Sequence, residues 1–218
     1  MFDSIDMTRR AVLSRGLAVM LAAMAGAGAA RAQAGDPRQP VTELCAVLQN
    51  SMKLGARTPF QQRFDLIAAV VDRVLDLETI LRVSVGPRWS TMDETGRKSL
   101  AGVFRAFTIA SYAANFDKDG GDRFEVVARV RGSGTDQIVE SRLIVSDGAP
   151  IRIDYLMRET GGVWRVVDVL LDGSISRVAV QRSDFRGLLA SDDPAPLIAS
   201  LSRKVAELSG GALRPAGS

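Results

Sequence analysis

The chain has 218 residues, 46% hydrophobic and 24% charged, with a formal charge of +3, one cysteine and no histidine. That is the balance of an ordinary globular domain, long enough to bury a core of its own. It excludes histidine-based acid–base chemistry, zinc or haem ligation and any intramolecular disulfide.

Residues 1–34 read as an export signal. Thr8-Arg9-Arg10 is a charged start, Gly16 to Ala30 is an uncharged Ala/Gly/Leu/Met run, and Ala30-Arg31-Ala32 or Ala32-Gln33-Ala34 offers small residues to a signal peptidase. The run is too short and too diluted by glycine and alanine for a membrane anchor, which needs roughly 20 apolar residues. The arginine pair followed by Ala11-Val12-Leu13-Ser14 leans towards the twin-arginine route over the general one. Cleavage removes Arg9, Arg10, Arg15 and Arg31 from 28 basic residues, and Asp3 and Asp6 from 25 acidic ones, leaving 24 against 23. A nearly neutral mature chain does not support a nucleic-acid surface.

After a Gly/Pro linker, residues 41–54 place Leu44, Val47, Leu48 and Met52 at helical spacing, and the lone Cys45 packs there as a small apolar residue. Thr58-Pro59-Phe60-Gln61 predicts a helix capped by Thr58, running to about Leu75 with Phe60, Phe64, Ile67, Val71 and Val74 on one side. A short helix over 76–83 stops at Gly86-Pro87. Thr91-Met-Asp93-Glu94 reads as a capping box opening the longest helix, to about Phe116. Its apolar residues cover more than one stripe, so it must meet apolar material on two sides, whether core or ligand.

From Arg123 the period changes from helical to two. Phe124, Val126, Ala128 and Val130 alternate with polar residues, a Gly132-Ser-Gly134 turn leads to a run over 138–146, and Asp147-Gly148 leads to a hairpin over 151–171 turned by Gly161-Gly162. Helical segments to Leu189 and over 194–208 follow, and residues 209–218 read as a disordered tail. Helices, then a four-stranded antiparallel meander, then helices give one α+β domain over 41–208, with helices packed on one face of the sheet.

No chemical motif stands out. Asp117-Lys-Asp119-Gly-Gly121-Asp122 has Asp122 where a calcium loop needs its turn glycine and Ala128 where it needs the bidentate glutamate, so it reads as a polar turn. Phosphate loops and nucleophile elbows are absent, and no metal or cofactor is expected. Asp154 with Tyr155, or Asp168 beside Trp164, is the most enzyme-like pair. Alternation puts Asp154 on the polar, solvated side of its strand; Asp168, sharing a side with Trp164, Val166 and Leu170, needs a structural partner if buried.

Gly86-Pro-Arg-Trp89, Phe104…Phe107…Tyr112, Tyr155…Gly162-x-Trp164-Arg-Val166-x-Asp168-Val169…Asp172-Gly173…Ser176 and Arg182-Ser183-x-Phe185 together resemble the toluene-tolerance auxiliary family, periplasmic lipid carriers of the MlaC type. Gly173-Ser-Ile-Ser176 with Gln181-Arg182-Ser183-Asp184-Phe185 is most similar to its hopanoid-associated HpnM branch. The resemblance implies an NTF2-like domain without catalysis. It also implies an apolar cavity for acyl chains, and shuttling of a phospholipid or hopanoid between an inner-membrane transporter and an outer-membrane partner complex. A small NTF2-like enzyme and a structural envelope adaptor are the competing readings. Spacing on the sheet and helices nominates the lipid wall as Phe124, Val126, Val130, Ile153, Tyr155 and Met157 facing Ile67, Val70, Val71, Phe104, Phe107 and Tyr112.

Overall fold

The computed structural model describes residues 35–189 and 193–213, all within one compact unit. The expected export signal over 1–34 lies outside the described residues. Helix α1 (Arg38–Leu54) buries Val41, Leu44, Cys45, Val47, Leu48, Ser51 and Met52, a stripe at three and four. It starts one turn earlier than expected because Pro40 falls in the first turn, where a missing N–H costs nothing.

Helix α2 (Phe60–Val74) begins without its expected cap. The Thr58 hydroxyl donates instead to Leu54 O, an orphan carbonyl at the end of α1. At the other end, Asp76 N–H donates to Val166 O, and the Asp76 carboxylate caps α3 (Leu77–Val85) through Thr79 N–H. A 3-10 segment (Gly86–Ser90) leads to α4 (Glu94–Asn115), capped by Asp93 accepting from Gly96 N–H. The box expected at Thr91 is displaced by two residues, since the Thr91 hydroxyl bonds back to Arg88 O.

Five strands follow, each antiparallel to the next: β1 (Arg123–Ser133), β2 (Asp136–Ile144), β3 (Ile151–Thr160), β4 (Val163–Leu171) and a two-residue β5 (Ile175–Ser176). The expected fourfold meander thus gains a short edge strand, because the Asp172-Gly173 turn sends the chain back along β4. The Gly161-Gly162 hairpin has both glycines at positive φ, 62° and 85°, as a two-residue primed turn requires. Helices α5 (Arg177–Arg186) and α6 (Ala195–Leu208) complete the chain. Residues 209–213, expected in a disordered tail, form a hydrogen-bonded turn in which Ser209 accepts from Leu213 N–H.

Two irregularities reset the alternation. Val126 pairs with Ser141 and Val130 with Val139, so β1 carries two extra residues between them. Ala128, expected on the inner face, is exposed there, and its carbonyl accepts from Arg38 of α1. In β4, Leu156 pairs with Asp168 and Met157 with Val166, leaving Val167 as a bulge. Val169 and Leu171, rather than Leu170, therefore oppose the inward Tyr155 and Ile153.

The outer face corrects one expectation further. Asp154 does lie on the side away from Tyr155, but it is fully buried rather than solvated. Arg152 grips it with Nε at 2.9 Å and Nη2 at 2.7 Å, and Arg131 from β1 makes a third bond. Neighbouring Glu140 is held by Arg142 at 2.7 Å. Gly173 leaves room for the Arg152 guanidinium, since a Cβ there would sit 2.8 Å from its Cζ.

Replacing Asp154 with Ala strands two arginines whose heads still reach water, so unfolding free energy should fall by about 2–3 kcal/mol. The exposed pair Arg123–Glu125 provides the control: Glu125→Ala should cost less than about 1 kcal/mol. Denaturant titration of both variants checks the contrast.

Candidate functional site: an apolar cavity between α4 and the sheet

A cavity of about 340 Å³ lies between α4 and the inner face of β3 and β4, walled on its remaining sides by α1, α3 and α5. Its size falls within the roughly 300–1,000 Å³ of small-molecule sites. Helix α4 contributes Phe104, Phe107, Thr108, Ser111 and Tyr112; the sheet contributes Ile153, Tyr155, Val169 and Leu171. Leu77 and Ile80 of α3 and Val178 and Gln181 of α5 close the flank, with Leu48 of α1 behind. Asn115 and Arg177 line the cavity and are exposed, which puts the mouth between the end of α4 and the start of α5.

Polar groups in the wall are largely satisfied by the protein itself. Thr108, Ser111 and Asn115 sit at helical spacing, and each donates to the carbonyl four residues back, to Phe104, Phe107 and Ser111 respectively. Asp168 accepts from the Ser176 hydroxyl and from the Val178 and Val169 N–H groups, tying α5 onto β4. That meets the need for a structural partner through hydrogen bonds rather than an arginine.

Beside the cavity, where α1 meets the inner face of the sheet, Cys45, Ser141 and Tyr155 form a buried group. The Ser141 hydroxyl adjoins both neighbours yet reaches good hydrogen-bond geometry with neither. Burial pushes the Cys45 thiol up to about 11, the Tyr112 phenol up to about 12, and the Tyr155 phenol well above its ordinary value. All three stay neutral at physiological pH, so they add no charge to the interior. Among the described residues, no group of His, Cys, Asp and Glu is placed to hold a metal ion.

Five of the residues nominated from sequence meet in this wall: Phe104, Phe107, Tyr112, Ile153 and Tyr155. Ile67, Val71 and Met157 are buried in the core away from it, and Val70 is half-buried against that core. Phe124, Val126 and Val130 are half-buried under α1, whose Gln49 side chain bonds to Phe124 N–H and Asp122 O. Phe124 reaches the site only at second hand, against Phe116 at 5.5 Å between ring centres. The polar stripe 108–111–115 was visible as a spacing; the contributions of α3 and α5 carried no signal of their own.

The sequence profile of MlaC proteins matches residues 38–203. The chain belongs to the MlaC family. The fold is shared with the phospholipid-binding protein of Ralstonia solanacearum, solved in complex with a phospholipid: TM-score 0.66 at 18% identity, over 82% of this chain and 99% of that one. No curated protein matches the sequence. The family profile spans every wall of the cavity, from Leu48 in α1 to Gln181 in α5.

The buried thiol gives this MlaC protein a pH signature. Its pKa is raised on folding from about 9 to about 11, so the folded state retains the proton longer. The associated stability is complete below pH 9 and is lost as pH rises through 11, with a ceiling of about 2–3 kcal/mol. Cys45→Ala should flatten the pH 9–11 part of the unfolding curve relative to the parent, as read by chemical denaturation at stepped pH.

Proposed function

We propose that this protein is a periplasmic lipid carrier of NTF2-like architecture, moving a phospholipid or hopanoid between an inner-membrane transporter and an outer-membrane partner complex. The observation that carries the reading is the cavity: mostly apolar, with Asp168 tied into hydrogen bonds and Arg177 at the mouth, and located in a chain of the MlaC family. The Ralstonia solanacearum protein, which has the same fold, binds phospholipid and supports the choice of cargo. No helix among the described residues is long and apolar enough to cross a membrane, which suits a carrier exported by the leader over 1–34.

An acyl chain needs no specific polar contact here. Each buried methylene contributes about 0.8 kcal/mol, so ten contribute roughly 8 kcal/mol, the equivalent of a dissociation constant near ~1 μM before ordering costs. The headgroup stays at the mouth, beside Asn115 and Arg177. The resemblance to the HpnM branch makes a hopanoid the first alternative cargo.

The enzyme reading finds no free base. Asp154 is on the wrong face and held by two arginines, and Asp168 is occupied by three donors. For the structural adaptor, a filled interior was the expectation, and α4 and the sheet are instead separated by a void.

Mass spectrometry of organic extracts from the purified protein should find a bound lipid. Val169→Trp, which projects into the cavity, should abolish or strongly reduce that lipid at a stability cost below the about 1–3 kcal/mol of overpacking a filled core. Protein that is consistently empty, and that takes up no lipid from vesicles, would overturn the reading.

A further inference from the structure

A second concave site lies on the neighbouring side of α5. It is a groove of about 460 Å³ lined by Val85, Pro87, Arg88, Thr91, Arg182, Arg186 and Leu189, and among the described residues no carboxylate lines it. Arg182 and Arg186 stand one helical turn apart, and among the described residues neither makes a hydrogen bond or ion pair. Arg182 is nevertheless positioned: its guanidinium passes over Gly86, where a Cβ would lie 3.5 Å from Nε and Nη2 and where φ is 72°. A Cβ there would be in ordinary contact with the guanidinium, so Gly86 serves its positive φ, and the Arg182 head rests against the start of the 3-10 segment.

The ordinary explanation for arginines in this place is compensation of helix ends, because α3 ends at Val85 and α5 at Arg186. Two helix C-termini amount to about −1 elementary charge. Arg182 and Arg186 bring +2, with Arg88 and its own partner left aside, so among the described residues an excess of about one positive charge remains over an apolar floor. Unpaired guanidinium forks in a concave site match the oxyanion of a phosphate group, which they bind bidentately.

We infer that the Arg182–Arg186 groove binds a phosphate group, namely that of an anionic lipid headgroup at a membrane surface, separately from the cargo cavity. The oxyanion chemistry stands on the groove alone; the choice of a lipid over free phosphate rests on the carrier reading. It is favoured because one ten-residue helix serves both sites. Arg177 at the cavity mouth and Arg186 in the groove are nine residues apart, roughly 14 Å along the axis and on opposite faces of the helix, so the two sites take separate headgroups.

The test uses protein recovered after expression of the full chain, with vesicles of phosphatidylcholine alone or mixed with phosphatidylglycerol, and inorganic phosphate as competitor. The expected result is co-sedimentation with the anionic vesicles only, release by phosphate, and at least about a tenfold loss of retention in Arg186→Gln, the effect of losing one charge-assisted hydrogen bond. Arg186 is exposed, so its variant keeps the fold; Arg182→Gln serves as the second variant. Lipid content by mass spectrometry should be unchanged in Arg186→Gln, which separates this site from the cargo reading. Calorimetric binding of inorganic phosphate that Arg186→Gln weakens, without vesicle retention, overturns the membrane source and assigns free phosphate. Retention equal in parent and variants, or binding only to an acidic protein, overturns the site.

Discussion

Two polar attachments to β4 hold α3 and α5 against the flank of the sheet instead of its middle. One is the bond from Asp76 N–H to Val166 O, at the point where α2 gives way to α3. The other is Asp168, which accepts from Ser176 and the first turn of α5. The Ser84 hydroxyl, shared between Ile80 O of its own helix at 2.8 Å and the Gln181 side-chain oxygen at 3.1 Å, then brings the two helices together. Helices fixed in this way cannot slide inward to fill the space beneath α4. A void that apolar contact alone would tend to close is kept open by hydrogen bonds, which are directional and have one satisfying geometry.

The same principle explains why the interior accommodates hydroxyls without becoming hydrophilic. Thr108 and Ser111 spend their donors on their own helix, and the phenols and thiol are held protonated by burial. What faces the void is then mostly methyl, methylene and ring surface. Of the two charged residues in the wall, Arg177 is exposed at the mouth and Asp168 is engaged by three donors.

Much of the architecture was legible because local chemistry agreed with the global fold. The change of period at Arg123, the glycine pair at 161–162 and the acids near helix starts all mark real boundaries. What stayed hidden depended on partners distant in sequence. Thr58 and Thr91 had credible cap spacings, but nearby backbone carbonyls took their hydroxyls. The bulge at Val167 follows from pairing with β3 and leaves no signature in a run of valines, so Val169 and Leu171 were placed by the wrong parity. Asp154 looked solvated because burial came from Arg131, twenty-three residues away on another strand. Of the site, α4 and β3 could be read from their stripes of large side chains. The walls from α3 and α5 could not, since a residue lines a cavity only by virtue of what stops short of it.

The irregular margins of the sheet have a consequence for self-association. At one margin the two extra residues of β1 break the row of backbone groups, and Arg38 occupies one of the freed carbonyls. At the other, β5 is only two residues long before the chain turns into a helix. Neither margin presents a long, flat ladder on which a second chain could add a strand. The fold can thus hold a deliberately unfilled interior without also offering a template for polymerisation, two liabilities that would compound one another if they met in the same molecule.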